Sequence, residues 1–147
     1  MSPVTLKIHK LSTTAVTPSY ATDGSACLDI AADETCVVEP RRSRKVRTGL
    51  AFEYDPGHVL KVFSRSGMGA KNNIRLANGT GIIDQDYRGE LFVVLFNDSY
   101  TPYPVRQGDR IAQAMLVLAP RIELELVSEL GDTGRGAGGF GHTGLGS

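Results

Sequence analysis

Tryptophan is absent from the chain, and its 147 residues hold only two cysteines, Cys27 and Cys36. They lie too far apart for a Cys-x-x-Cys pair, and the three histidines His9, His58 and His142 are scattered. A structural zinc site is therefore not expected. Both cysteines read as small, buried, reduced packing residues. Net charge is also missing, with 16 basic against 16 acidic residues. That excludes a long-range pull toward nucleic acid or an anionic membrane. The run Arg41-Arg42-Ser43-Arg44-Lys45-Val46-Arg47 is the local exception. It lacks interleaved aromatics and reads as a solvated strand edge. No apolar run approaches the roughly 18 residues that span a bilayer. The opening Met1-Ser2-Pro3-Val4-Thr5-Leu6-Lys7 has no apolar signal-peptide core, so the expected location is cytoplasmic, with the nucleus also open in a eukaryote. There is no Gly-x-x-x-x-Gly-Lys-Ser/Thr, so no Walker-type phosphate loop is expected.

What the chain does have is many short strands. Val4, Leu6 and Ile8 alternate with polar neighbours, the mark of a half-buried strand. Ala26 to Ala32, Cys36 to Val38, Val46 to Tyr54 and Val59 to Phe63 follow, separated by Gly, Pro and Asp turns. Leu91 to Phe96 is apolar at every position, which predicts a central strand covered on both faces. Asp98 to Pro104 reads as a loop, Gln107-Gly108-Asp109 as a turn and Ile111 to Leu118 as a long strand. Ile122, Leu124 and Leu126 alternate with Arg121, Glu123 and Glu125 as a last strand. Only Ser66 to Lys71 suggests helical turns. About ten strands at this spacing argue for an all-β sandwich, jelly roll or barrel. The length suits one domain, assigned to residues 1–130, with a Gly-rich arm at 131–147.

Polar residues gather beside glycine in five places. One is Asn78 to Glu90, Asn-Gly-Thr-Gly-Ile-Ile-Asp-Gln-Asp-Tyr-Arg-Gly-Glu. Asn-Gly signals a hairpin, and the glycines let a flat ligand approach the backbone. This segment reads as a β-hairpin arm with Asp84 at its base. The others are Ala26-Cys27-Leu28-Asp29-Ile30, Ser64-Arg65-Ser66-Gly67-Met68-Gly69, Gly108-Asp109-Arg110-Ile111-Ala112-Gln113, and the tail. Arg65 and Ser66 at the mouth of a short helix suit phosphate, because a guanidinium forks onto oxygens and free N–H groups donate. Eight of the 17 glycines fall in Gly131 to Ser147. On composition the tail is a flexible end. Its Arg135, Phe140, His142 and Thr143 equally suit a lid over a nucleotide.

In this order the five segments resemble the five motifs of the trimeric dUTPase family, from Val4 to the C-terminus. The strongest matches are Gly81-Ile82-Ile83-Asp84 with Asp86-Tyr87-Arg88-Gly89-Glu90, Gly108 to Gln113, and Arg135-Gly136-Ala137-Gly138-Gly139-Phe140-Gly141. The resemblance implies a jelly-roll-like β domain assembled as a homotrimer, with each site drawing on all three chains. It implies hydrolysis of dUTP to dUMP and pyrophosphate with Mg²⁺ on the triphosphate, limiting uracil in DNA and supplying dUMP for dTMP synthesis. Asp84 would aim and deprotonate the attacking water. The backbone from Asn78 through Gly81 to Ile83 would read uracil, and Tyr87 would pack on the deoxyribose. Arg65, Ser66, Gly67 and Gln113 would hold phosphates. Phe140, with Gly141, would close over the base, while Arg135, His142 and Thr143 engage the outer phosphates. Asp29 is either a turn residue or a group at the metal's water shell.

Arg88 and Glu90 read as cross-strand ion pairs, and Asp109 and Arg110 as turn or interface residues. Ser64 stands where the family commonly has proline, which predicts a less rigid strand exit. Two other readings are a dCTP deaminase of the same fold and a nucleotide-binding module without chemistry.

Overall fold

The computed structural model describes residues 4–142 and Gly144. Among them are twelve strands and one helix: β1 (Leu6–Lys10), β2 (Ser19–Tyr20), β3 (Leu28–Ala31), β4 (Cys36–Val38), β5 (Ser43–Arg47), β6 (Leu50–Tyr54), β7 (His58–Phe63), α1 (Ser66–Asn72), β8 (Ile74–Leu76), β9 (Thr80–Ile83), β10 (Phe92–Asn97), β11 (Tyr103–Val105) and β12 (Arg110–Leu118). Every strand pair is antiparallel. The largest sheet runs β2-β3-β12-β7-β9, and a second runs β5-β10-β8. The pairs β1-β6 and β11-β4 complete an open, jelly-roll-like β-sandwich.

Alternation along the strands builds the core. Leu60 and Val62 of β7, Val93 and Leu95 of β10, and Phe52 and Tyr54 of β6 turn inward, as a side-chain period of two requires. Ile30, Leu50, Ile74, Leu76 and Ile111 fill the space between them. Helix α1 ends at Asn73, whose left-handed backbone (φ 56°) caps it, with the Asn73 N–H donating to the Gly69 carbonyl.

Several expectations change. Val46 to Tyr54 is two strands, parted at Thr48-Gly49, where Gly49 has φ 65° and an added Cβ would lie 2.5 Å from an Asp33 oxygen. Asn78-Gly79 does not close a hairpin: β8 pairs with β10 and β9 with β7, so the turn carries the chain from one sheet to the other. Asn-Gly signals a reversal, but the partner of each flanking strand is set by packing. Tyr103–Val105 is a short strand on β4 rather than loop. Central strand β10 is buried on one face only; Phe92 and Phe96 on the other lie half-buried beneath Lys45 and Arg75, 3.8 and 4.8 Å from the ring centroids. The alternating stretch Arg121 to Leu126 forms no strand, because no partner lies beside it in the chain; Ile122, Leu124 and Leu126 are exposed. Among the described residues the last strand ends at Leu118.

Candidate active site

The segment after β9 builds the first cavity, of about 260 Å³, lined by Ile82, Ile83, Asp84, Tyr87, Glu90, Leu91 and Phe92. A smaller cavity of about 90 Å³ adjoins it and adds Asn78, Gly81 and Val62. Asp84 is exposed, and among the described residues its carboxylate takes part in no hydrogen bond or ion pair. Its backbone is held instead: the Tyr87 N–H donates to the Asp84 carbonyl at 3.1 Å. The Tyr87 ring folds back over Gly89, and its hydroxyl donates to the Glu90 carbonyl at 2.9 Å. A Cβ on Gly89 would lie 2.5 Å from the Tyr87 oxygen, so this ring position needs glycine. On the corner between the sheets, Asn78 Nδ2 donates to the Thr80 carbonyl at 3.3 Å.

Three groups that the sequence reading left without a partner fix this loop. Glu90 accepts from the Gly49 N–H at 2.9 Å and from Arg47 Nε at 3.2 Å. Thr48 Oγ1 donates to the Leu91 carbonyl at 2.6 Å. Arg88 donates to the Gln85 carbonyl at 2.6 Å and lies 3.9 Å from Glu53. Arg88 and Glu90 therefore do pair with strand residues, but from the loop between β9 and β10 rather than from a strand, and each onto a different strand. Tyr54 of β6 donates its hydroxyl to the Ile83 carbonyl. A buried tyrosine needs an acceptor, but spacing in the sequence does not name it.

The second cavity, of about 370 Å³, is lined by Ala21, Ser25, Ala26, Cys27, Asp29, Arg65, Ser66 and Gln113. Asp29 accepts from Arg65 Nε through one oxygen and from Arg110 through the other, both at 3.1 Å. Arg65 further donates to the Arg110 carbonyl at 3.0 Å, so its guanidinium is held at two points beside the cavity it lines. Gln113 Nε2 donates to the Ser64 carbonyl at 3.0 Å. Ser64 Oγ in turn accepts the Leu76 N–H at 2.8 Å, so serine ties the strand exit to β8 through a bond proline could not make. Gly67 lies in the first turn of α1, exposed and outside this lining. Asp109 holds its own turn, accepting from the Arg106 N–H at 2.8 Å. Burial, helped by the Asp29 charge, pushes the Cys27 thiol above its usual range, and burial does the same for Cys36. Both stay protonated near neutrality and unpaired.

The tail stands apart from both cavities. Its last recorded backbone bond to the strand body runs from the Ala119 N–H to the Gly57 carbonyl at 2.8 Å. From Thr133 onward the bonds are local, with Arg135 Nε donating to the Gly138 carbonyl at 2.7 Å. Arg135, Phe140, Gly141 and His142 line a concavity of their own with Gly139. Phe140 is fully exposed. Thr143 lies outside the described residues.

Strand register separates the cavities. Thr80 lies opposite Phe63 and Ile83 opposite Leu60. Asp84 therefore follows one end of this pairing and Arg65 the other. At about 3.3 Å per strand residue, their Cα atoms stand on the order of 15–20 Å apart. The two cavities therefore lie at opposite ends of the β7-β9 pairing.

Among the described residues no group of three or more His, Cys, Asp or Glu side chains could hold a metal ion. The single carboxylate at the second cavity, Asp29, already carries two guanidinium bonds. No protein donor set among the described residues here holds a metal directly; a hard cation at this cavity would take its ligands from waters and substrate phosphates. No helix among the described residues is long and apolar enough to cross a membrane.

The dUTPase family model matches residues 13–144. The deoxyuridine 5'-triphosphate nucleotidohydrolase of Anaeromyxobacter sp. (strain Fw109-5) is 45% identical over 145 residues, covering 97% of this chain and 99% of that protein. The protein of the same name from Nautilia profundicola is 43% identical over 141 residues, covering 95% and 98%. A mutant dUTPase of Staphylococcus bacteriophage 80alpha, solved with dUpNHpp, superposes with a TM-score of 0.90 at 28% identity, over 96% of this chain and 99% of that one. A mutant dUTPase from phage phi11 of S. aureus, solved to show how a structural Mg(II) ion is coordinated, superposes with a TM-score of 0.81 at 27% identity, over 87% and 99%.

Proposed function

This chain belongs to the dUTPase family and hydrolyses dUTP, and from that premise we propose how its residues divide the work. The unpaired carboxylate of Asp84, facing solvent beside a cavity edged by β9 and Tyr87, is the observation that carries the reading. A carboxylate already bound to cations has little left for a water; this one is free to orient it and accept its proton. The water oxygen attacks the α-phosphorus, the bond to the bridging oxygen breaks, and pyrophosphate departs, leaving dUMP. Phosphoryl transfer of this kind rests on positioning and charge stabilisation.

The backbone from Asn78 to Ile83 pairs with the uracil edge. A wrong base would leave those polar groups unpaired, which gives strong discrimination. Tyr87 packs against the deoxyribose and excludes a 2′-hydroxyl. Arg65, Ser66 and Gly67, with Gln113, grip the phosphates of a nucleotide whose base sits on another copy. The separation of Arg65 from Asp84 along the sheet supports that sharing. So does the exposed apolar row Ile122, Leu124 and Leu126, which a second subunit would cover. A homotrimer satisfies both. The arm at 131–147 then closes over the nucleotide, with Phe140 and Gly141 on the base and Arg135, His142 and Thr143 on the outer phosphates, excluding bulk water. Magnesium, when bound, would neutralise triphosphate charge and be held by the phosphates; both oxygens of Asp29 are taken by guanidinium groups, so its part would be to fix Arg65 beside them.

The test is a product assay with dUTP, dCTP, UTP and dTTP in magnesium. Pyrophosphate from dUTP alone is the expected result. Ammonia from dCTP, or dUTP binding without pyrophosphate, would overturn the reading.

A further inference from the structure

The side chain of Asp84 is unanchored among the described residues, so its direction depends on the two peptide units that flank it. The C-terminal one is held by the Tyr87 N–H. The N-terminal one, the Ile83–Asp84 peptide, offers its carbonyl to the hydroxyl of Tyr54. Tyr54 is a core residue, 3% exposed, on the inner face of β6. Its own carbonyl accepts a longer contact, at 3.4 Å, from Gln85 Nε2 on the far side of Asp84. One buried residue thus touches both sequence neighbours of the carboxylate while making no contact with the ligand cavity.

We propose that Tyr54 is a positioning residue for the reaction: its hydroxyl sets the plane of the Ile83–Asp84 peptide and so aims the Asp84 carboxylate at the attacking water. The inference rests on the reading of Asp84 as the water-aiming group. Packing alone does not require the hydroxyl, because phenylalanine would fill the same space. What phenylalanine cannot do is hold that carbonyl. A catalytic group swung by a fraction of an ångström loses rate without losing affinity, since the phosphates and base are held elsewhere.

The experiment is steady-state kinetics of full-length Tyr54→Phe on dUTP, in the native and the Asp84→Asn backgrounds. The expected result is a fall in kcat of about tenfold with KM within about twofold, and no further fall when Asp84 is already asparagine. A core variant remote from the site, Val105→Ala, serves as the control and keeps kcat however much it lowers the melting temperature. Unchanged kcat in Tyr54→Phe, or an equal fall in the Asp84→Asn background, overturns the role of Tyr54 while leaving that of Asp84 intact. Normal turnover in Asp84→Asn itself would overturn both. Should Tyr54→Phe fail to fold, Gln85→Ala tests the weaker half of the contact. There the expected result is a fall in kcat of about twofold at unchanged KM, and no change would count against the proposal.

Discussion

Among the described residues the Asp84 carboxylate, just past the end of β9, stands without a cation; at Asp29, on β3 of the same five-stranded sheet, a carboxylate takes two. The contrast follows burial. Asp29 is largely shielded, and a shielded charge needs partners, so it pairs with Arg110 and with Arg65, which lines the cavity beside it. Asp84 is exposed, where an unpaired carboxylate costs little and stays available to bind a water. The loop around it is nevertheless rigidly tied, through Glu90 to β5 and through Tyr54 to β6. The first cavity is thus suited to aiming one water and reading one base. The second is suited to gripping a polyanion. The two lie at opposite ends of the β7-β9 pairing.

The sharpest way to break this contrast is to neutralise the unpaired carboxylate. Asp84→Asn keeps shape and size, and is expected to cost roughly 10³-fold in kcat with the melting temperature and nucleotide binding retained; near-normal turnover would remove the distinction between the two carboxylates. Next in size is the grip. Replacing Arg65 and Gln113 together with alanine removes the charged fork and an amide from the second cavity, the proposed phosphate grip. It is expected to lower kcat/KM for dUTP roughly 10²-fold, read by initial rates at low substrate. Deleting residues 133–147 is the mildest case, with roughly a tenfold loss of activity and an unchanged melting temperature, because the described part of the tail makes no backbone bond to the strand body beyond Ala119.

Much of the strand body could be read from the chain. The apolar run at Leu91 to Phe96 placed β10 at the centre of a sheet, and the Gly and Pro turns divided most neighbouring strands. Pairing was harder to read, because it depends on residues far away in sequence. Asn78-Gly79 announces a reversal, yet its flanking strands join different sheets. Ile122 to Leu126 alternates like a strand, but a strand needs a partner, and this chain alone offers none. The motif residues were legible as types. Their supports were not: Tyr54 and Ile83 are 29 positions apart, Arg47 and Glu90 43. Ser64, which the family resemblance marks as a looser substitute for proline, tightens the strand exit through its hydroxyl.

The central claim is that the Asp84 cavity of one copy works with the Arg65 cavity of another. Subunit complementation tests it most directly. The Asp84→Asn chain and the Arg65→Ala/Gln113→Ala chain are unfolded, mixed and refolded together, and pyrophosphate release from dUTP is compared with each chain refolded alone. Sharing predicts activity in the mixture well above the sum of the two, because some sites then combine an intact Asp84 with an intact Arg65 and Gln113. Activity no higher than that sum, in mixed assemblies of the correct size, would show that each copy works alone and would contradict the account.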